Sequence, residues 1–331
     1  MLSLSKWLGI LIGLLISFQT FADGKPMRCL AFSPYVGGLT PDFGARPSKQ
    51  LIDTLLDKLV ADTPFRCIMT YGVINGLEYV VEAAMQRQLS VIAIVWLDKD
   101  VEVNSQSISS AIALARKYDK TIMRLSCGSE VRTRHDYRYD SEISRCLQAM
   151  REAKLSQPVT TIDTWWEWCN RQQPCAPTSF SAQVDWIGIN VFPWWENQFS
   201  SIHSCVSAQQ AAQFHLERLE EVRRANPGKE VVITEFGWPN APENYAITNP
   251  YTRQQCAVAG LANQALVINS TLALFAEKGY SATVFEAFSE TWKPSNEGES
   301  GQYWGVCQGE SPYRCNAAAL MSLMRNTPRG K

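Results

Sequence analysis

The chain has 331 residues, with 31 Lys and Arg against 32 Asp and Glu, and a formal net charge of -1. Apolar residues make up 46% and charged residues 19%, a balance that excludes an intrinsically disordered chain. The near-neutral charge, without a basic run, excludes the electrostatic pattern of a nucleic-acid-binding protein.

The N-terminal segment has the layout of a secretory signal peptide. Lys6 precedes an apolar run at Trp7–Phe18, and Thr20, Phe21 and Ala22 resemble a cleavage site. The run is 12 residues long, whereas a spanning helix needs roughly 20, which disfavours an uncleaved anchor. We therefore predict a signal peptide over residues 1–22 and a mature domain over residues 23–331. The mature protein is expected to have no stable membrane insertion and to be secreted or periplasmic.

Short runs of apolar and β-branched residues recur along the chain, and several are apolar throughout, as in parallel strands that are buried on both faces. They predict eight strands, at Met27–Ser33, Phe65–Tyr71, Ser90–Trp96, Thr121–Cys127, Pro158–Ile162, Val184–Val191, Glu230–Glu235 and Ser281–Phe288. Helical periodicity predicts helices between them at Ser48–Ala61 with Ser48 as N-cap, Asn75–Arg87, Ser105–Tyr118, Ser141–Leu155, Ser207–Ala225 and Thr252–Lys278. The irregular stretch Asp163–Phe180 is expected to be a long loop that replaces or interrupts the fifth helix.

Eight strands interleaved with helices predict a (β/α)8 TIM barrel in a single domain. A doubly wound open sheet uses the same alternation, and periodicity alone does not exclude it. No composition shift, repeat or linker marks a second domain. In such a barrel the active site lies at the carboxyl ends of the strands, so the residues there are the candidates for chemistry.

All ten cysteines lie beyond the predicted signal peptide, and an even count in an exported chain favours disulfides over metal sites. No C-x-x-C pair is present and the three histidines lack ligand spacing, so we expect neither a metal nor a cofactor. Three pairings are hypotheses. Cys169–Cys175 and Cys307–Cys315 close short loops, and Cys29–Cys67 joins two predicted neighbouring strands.

Glu130 and Glu235 lie at the ends of the fourth and seventh predicted strands, among Trp and Tyr side chains. Paired carboxylates beside aromatic rings suit glycoside chemistry, in which one group protonates the leaving oxygen and the other attacks or activates water. We therefore predict these two residues as catalytic. The side chains predicted to bind substrate are Tyr35, Tyr71, Trp96, Ser129, Asn190, Trp194, Trp238, Glu286, Glu290 and Lys293. Trp194 fits the core of the loops equally well.

Four segments occur in a fixed order along the chain: Gly128–Val131, Asp185–Trp195, Ile233–Pro239 and Phe285–Phe288. Together they resemble glycoside hydrolase family 17, the family of β-1,3-glucanases and β-1,3-glucan-remodelling enzymes. The first looks like the acid/base segment of the family and the third like its nucleophile segment. The second and fourth are similar to strands of fungal cell-wall members and their bacterial relatives.

The resemblance implies a retaining mechanism on a β-1,3-glucan such as laminarin, with Glu235 as nucleophile and Glu130 as general acid and then base. A β-1,3-glucan transglycosylase is the alternative, because a sugar hydroxyl can replace water in the second step. A catalytically silent carbohydrate-binding barrel is a third hypothesis, although such a protein should have lost one carboxylate. The resemblance and the composition together predict a monomer whose partner is β-1,3-glucan, with no nucleic acid.

Three positions depart from the family pattern. Ser129 stands where many relatives have Asn, as it does in fungal cell-wall members, and Phe192 stands where plant members have Tyr. Gly301 occupies the place of a carboxylate that usually precedes a late glycine. We expect Glu299 to substitute for that carboxylate.

Overall fold

The computed structural model describes residues 26–41, 44–199, 205–293 and 297–320, and the predicted signal peptide lies outside these ranges. The strands in chain order are β1 (Arg28–Phe32), β2 (Cys67–Thr70), β3 (Ser90–Val95), β4 (Ile122–Ser129), β5 (Val159–Thr164), β6 (Ile187–Asn190), β7 (Val231–Phe236), β8 (Ala246–Thr248), β9 (Gln255–Val258) and β10 (Ala282–Val284). Eight of them form a closed barrel in the order β1-β10-β7-β6-β5-β4-β3-β2. The parallel pairing of β1 with β10 closes the ring, which confirms the predicted TIM barrel and excludes the open sheet.

The helices lie around this barrel and follow the predicted alternation. They are α1 (Lys49–Asp62), α2 (Tyr79–Gln86), α3 (Val101–Lys117), α4 (Val131–His135), α5 (Asp140–Glu152), α6 (Trp165–Trp168), α7 (Pro193–Phe199), α8 (Ala211–Ala225) and α9 (Leu261–Lys278), with a 3-10 helix at Ala317–Leu320. Helix α1 begins as predicted, because the Ser48 side chain accepts the Leu51 N–H at 3.2 Å. In the parts of the chain that the structure describes, none of the helices combines the length and apolar character needed to cross a membrane.

The predicted helix Thr252–Lys278 is wrong over its first third. Residues of β8 and β9 pair there as an antiparallel hairpin, and α9 starts only after Gly260. Gly260 has φ +149, and a side chain there would meet the Glu243 carboxylate at 2.7 Å. The hairpin is joined to the chain before α8 by the Cys205–Cys256 disulfide. These tertiary contacts override the helical propensity of the segment.

All ten cysteines are paired. The three hypothesised disulfides, Cys29–Cys67, Cys169–Cys175 and Cys307–Cys315, are confirmed. The other two are Cys205–Cys256 and Cys127–Cys146, and the latter joins β4 to α5 close to Glu130. The predicted irregular stretch Asp163–Phe180 starts within the last two residues of β5 and is otherwise confirmed as a loop region with one short helix, α6.

Side chains along β1, β2 and β3 alternate between two apolar clusters. On β1, Leu30 and Phe32 pack in the large cluster with the helices, whereas Cys29 and Ala31 belong to a smaller cluster with residues of the neighbouring strands. A third cluster, rich in tryptophan, joins the β8–β9 hairpin to α7 and to the end of β7. The carboxyl ends of the strands therefore rest on well-packed apolar layers, which hold the site residues in place.

Candidate active site

Both predicted catalytic glutamates follow a β-bulge. On β7, one extra residue interrupts the pairing with β6 between Ile233 and Glu235, and β4 has one extra residue against β5 between Ser126 and Ser129. A bulge shifts the side chains that follow it by one step relative to regular alternation. Glu235 therefore comes into register with Asn190 of β6.

Glu130 lies at the junction of β4 and α4. Its backbone is left-handed, with φ +53 and ψ +34, a conformation that non-glycine residues adopt rarely. The Glu130 N–H donates to the carbonyl of Ile162 at 2.9 Å. Its carboxylate Oε1 accepts a hydrogen bond from Asn190 Nδ2, also at 2.9 Å. The left-handed turn therefore brings Glu130 to the end of β6.

Glu235 is buried at the end of β7, and the Tyr71 hydroxyl donates to its Oε1 at 2.8 Å. Asn190 is its partner in the sheet register. The Thr234 hydroxyl donates to Asn190 Oδ1 at 2.9 Å, which leaves the Asn190 NH2 group facing the carboxylates. Asn190 thus connects the two predicted catalytic glutamates.

The two carboxyl groups have raised pKa values. Burial raises the pKa of Glu130, opposed by the hydrogen bond from Asn190 and the charge of Arg134. Burial and then the charge of Glu130 raise the pKa of Glu235, opposed by Tyr71 and Lys293. Because like charges in a buried site resist joint ionisation, the pair retains a proton at a pH where free glutamates are ionised.

Lys293 joins two of the predicted substrate-binding carboxylates. Its Nζ lies 2.7 Å from Glu286 Oε1 and 3.2 Å from Glu290 Oε2, and the Ser33 hydroxyl donates to Glu290. Burial works against the charge on Lys293, but the two carboxylates raise its pKa overall. The ammonium group thus offsets part of the negative charge of the two carboxylates. Among the residues with described positions, no group of three or more His, Cys, Asp or Glu side chains is arranged to hold a metal ion.

Three further predicted residues lie around this cluster and the end of β4. Tyr35 is buried close to Glu290, and burial followed by that charge raises the Tyr35 pKa. Ser129 is buried, and its carbonyl accepts from the guanidinium of Arg134 at 3.2–3.3 Å. Trp96 is 37% exposed, with the Arg134 guanidinium 4.2 Å from its ring centroid. Trp96 therefore presents an accessible aromatic ring held by a cation.

Trp194 and Trp238 are placed differently from the expectation that they contact substrate. Both are 0% exposed and pack edge to face with ring centroids 5.4 Å apart. Trp304 packs against Trp194 at 6.3 Å, and Trp238 Nε1 donates to the Val258 carbonyl of the hairpin at 2.8 Å. The two rings have no free face for a sugar, so we correct their role to packing behind the site.

A family model described as the BtgE/BtgC glycoside hydrolase domain matches residues 29–305. The chain belongs to this glycoside hydrolase family. It is similar to the "Probable family 17 glucosidase SCW10" of Saccharomyces cerevisiae, with 27% identity over 286 residues, 85% of this chain and 64% of the relative. The chain therefore spans less than two thirds of that relative's length. The family 17 designation confirms the predicted resemblance.

The barrel is also similar to solved structures. The glycoside hydrolase family 17 β-1,3-glucanosyltransferase from Rhizomucor miehei has a TM-score of 0.68 and 19% identity, over 88% of this chain and 96% of that one. An active-site mutant of that enzyme is in complex with laminaritriose, with a TM-score of 0.65 and 19% identity, over 85% and 93% of the two chains. An endo-laminarinase from Formosa has a TM-score of 0.69 and 17% identity, over 86% and 83%. At these identities the similarity shows the shared fold.

In this member of the BtgE/BtgC glycoside hydrolase family, a further carboxylate lies within reach of the charges of Lys293, Glu290 and Glu130. It belongs to Glu297 and not to Glu299. Glu299 is exposed, whereas Glu297 is partly buried. Burial raises the Glu297 pKa, and the charges of Lys293, Glu290 and Glu130 shift it further in opposing directions. Two glutamates separated by one loop residue carry no sequence signal that distinguishes them, and their exposure in the structure favours Glu297 over the expected Glu299.

Two residues near Glu130 have no predicted role. Asp163, buried at the end of β5, accepts hydrogen bonds from α4, and Arg134 contacts the carbonyls of Leu97 and Ser129. Burial raises the pKa of Asp163 to about 7, opposed by the Thr133 hydroxyl and assisted by the charge of Glu130. The position of Asp163 at a strand end was the available signal in the sequence.

Proposed function

We propose that this domain is a retaining glycoside hydrolase that cleaves β-1,3-linked glucan, with Glu235 as nucleophile and Glu130 as general acid and base. The observation that carries the proposal is the shared contact of both carboxylates with Asn190. Its NH2 group donates to Glu130 at 2.9 Å, and it is the register partner of Glu235, whose pKa it lowers against the effect of burial. Two carboxyl groups that lie beside the same small amide are close to each other. This suits a retaining enzyme, whose carboxyl groups are roughly 5–5.5 Å apart, better than an inverting enzyme, whose carboxyl groups are roughly 6.5–9.5 Å apart to admit a water molecule.

Burial raises the pKa of both carboxyl groups, and that of Glu235 well above its ordinary value, so the groups around each carboxyl distinguish the two roles. In the first step Glu235 attacks the anomeric carbon while Glu130 gives its proton to the departing glycosidic oxygen. The Tyr71 hydroxyl and the Lys293 charge favour the ionised form of Glu235. The burial that raises the pKa of Glu130 favours the protonated form. In the second step Glu130 takes a proton from the incoming water, which attacks the glycosyl-enzyme and releases Glu235.

The substrate class is supported by the relatives. The names of the similar proteins include family 17 glucosidases, an endo-laminarinase and a β-1,3-glucanosyltransferase seen with laminaritriose. Tyr35, Tyr71 and Trp96 add aromatic rings at the strand ends, and Trp96 is the most exposed of the three. Rings of this kind suit the apolar faces of glucose units in a β-1,3-glucan.

We further propose a secreted or periplasmic monomer. Five disulfides among the described residues suit an oxidising compartment, and they agree with the signal peptide predicted over residues 1–22. Glu130, Glu235 and Asn190 contact one another within a single barrel, so the carboxylate pair needs no residue of a second copy. Size-exclusion chromatography with light scattering of the exported protein tests the monomer.

The deciding experiment incubates the protein with laminarihexaose and sizes the products. Shorter products alone support the hydrolase, and longer products support the transglycosylase, which uses the same carboxylates. Unchanged sugar with measurable binding overturns both and indicates a silent barrel. Proton NMR of the first product formed tests retention, since the β-anomer must appear before mutarotation.

Variants test the assignment of roles. Glu235→Gln should abolish turnover, and substantial residual activity would contradict the nucleophile. With azide, Glu235→Ala should form an α-glycosyl azide and Glu130→Ala a β-glycosyl azide, because azide replaces each carboxylate on its own face of the sugar. The matched control is Glu230→Gln, which lies just before β7 at the opposite end of the barrel and pairs with Arg124 at 2.9 Å. That variant should keep full activity.

A further inference from the structure

Strand β5 holds the turn that carries Glu130 from both sides. The carbonyl of Ile162 accepts the Glu130 N–H at 2.9 Å. The next residue, Asp163, uses both carboxylate oxygens: Oδ2 accepts the Arg132 N–H at 2.9 Å, and Oδ1 accepts the Thr133 hydroxyl at 2.6 Å. Consecutive residues of one strand thus contact the turn at the Glu130 N–H and again at the Arg132 N–H and the Thr133 hydroxyl.

This support matters because the turn is left-handed at a residue other than glycine. Glu130 has φ +53, a conformation that needs its surroundings to maintain it. Within the turn, the Arg134 N–H donates to the Glu130 carbonyl at 2.8 Å. Without Asp163, the second and third residues of α4, Arg132 and Thr133, each lose an acceptor, and the backbone can rotate toward a more favourable region. The Glu130 carboxyl would then move away from Asn190.

Asp163 is itself rigidly placed. It is 4% exposed, and the Thr164 N–H donates to its Oδ1 at 2.9 Å. Asp163 also lines a small cavity of about 10 Å³, together with Thr161, Glu167 and Trp168. A buried carboxylate that accepts hydrogen bonds from three donors has little freedom to move. It can therefore keep the turn that it contacts in one conformation.

We propose that Asp163 is a positioning residue for the general acid: its carboxylate holds the Arg132–Thr133 end of the turn and thereby directs the Glu130 carboxyl toward the glycosidic oxygen. The inference rests on the proposed function, since it assigns Asp163 to the proton-transfer part of that reaction. Asp163 does not touch the substrate. Misplacing a reacting group by about 1 Å can cost on the order of 100-fold in rate, so loss of this support should be visible in kinetics.

The test compares two substrates whose leaving groups differ in their need for a proton. Laminarihexaose requires protonation of the departing oxygen, whereas 2,4-dinitrophenyl β-laminaribioside releases a stable phenolate without it. The quantity measured is kcat/KM, which reports the first displacement. We expect Asp163→Ala to lower kcat/KM about 100-fold on laminarihexaose but less than about 3-fold on the dinitrophenyl glycoside. Asp163→Asn, which keeps one acceptor oxygen, should recover roughly tenfold of the loss.

The matched control is Asp185→Asn. Asp185 Oδ2 accepts the Val159 N–H at 2.8 Å, the same kind of bond at the opposite end of β5. It should leave kcat/KM unchanged on both substrates. If Asp163→Ala fails to fold, Thr133→Val removes one of the two bonds to α4 and should show the same substrate dependence with a smaller loss.

The outcomes separate this inference from the proposed function. Wild-type protein that cleaves neither substrate overturns the proposed function. Active wild type with equal losses on both substrates in Asp163→Ala, or with no loss on either, overturns the positioning role alone. A loss confined to laminarihexaose supports it.

Discussion

The hydroxyl of Tyr71, just beyond the end of β2, donates a hydrogen bond of 2.8 Å to Oε1 of Glu235 at the end of β7. The two strands lie far apart in the order around the barrel, so this bond crosses its mouth. A donor of this kind stabilises the ionised carboxylate, and it lowers the pKa of Glu235 against the effect of burial.

Tyr71→Phe should therefore raise the pKa of Glu235. The nucleophile must be ionised, so the acidic limb of the pH dependence of kcat/KM should move to higher pH, and activity near pH 5 should fall by about tenfold. The control is Tyr79→Phe, which removes a hydroxyl that donates to Asp53 at 3.0 Å on the outer helices. An unchanged acidic limb in Tyr71→Phe would contradict a role of this bond in keeping Glu235 charged.

Trp96 and Trp194 allow a comparison between an exposed tryptophan and a buried one. Trp96 is 37% exposed and Trp194 is 0% exposed. Trp96→Ala should raise KM for laminarihexaose by about tenfold with little change in kcat, because an accessible ring contributes on the order of 1 kcal/mol to stacking. Trp194→Ala should instead lower the free energy of unfolding by about 3–5 kcal/mol, measured by urea denaturation. A KM effect of equal size in both variants would refute the distinction.

Glu297 and Glu299 provide a similar comparison two residues apart. Glu297→Gln should lower kcat/KM on laminarihexaose by about tenfold, because a carboxylate beside Lys293 and Glu130 can accept charge-assisted hydrogen bonds from sugar hydroxyls. Glu299→Gln changes an exposed carboxylate and should leave kcat/KM within experimental error. The opposite result would indicate that Glu299, and not Glu297, takes the place of the missing family carboxylate.

Gly237 allows close approach between β7 and the segment that follows β10. A Cβ at this position would lie 2.1 Å from the carbonyl oxygen of Phe285. Since a backbone atom cannot rotate away, Gly237→Ala should destabilise the protein by about 1–3 kcal/mol and lower kcat by shifting Glu235 against Glu286. In the control, Gly72→Ala, the nearest atom is the flexible Leu77 side chain at 2.7 Å, so the cost should be smaller. Differential scanning calorimetry compares the two.

The barrel could be predicted because its strands are short, apolar and separated by turns, and these properties are local. The segment before α9 could not, because its hairpin depends on partners distant in sequence, including Cys205 and Trp238. The end of β4 shows the same limit. Its bulge and the left-handed Glu130 depend on β5, and no periodicity in residues 121–130 indicates them.

The site residues could be predicted as strand-end positions, but not their exposure. Asn190 and Trp194 lie four residues apart near one strand end, yet Asn190 contacts Glu130 while Trp194 packs behind the site. Which of the two enters the cleft depends on the Trp304 ring from a later loop. The contacts of Asp163 with α4 and the surroundings of Glu297 likewise form only on folding.

Every cysteine forms a disulfide, and Cys127 of the Cys127–Cys146 disulfide lies three residues before Glu130. A bacterial cytoplasm would leave all five bonds unformed during synthesis, because it keeps thiols reduced. Heterologous expression there should yield inclusion bodies or inactive enzyme, whereas export of the same coding sequence to an oxidising host compartment should yield active material. Recombinant work on this protein therefore begins with the choice of compartment.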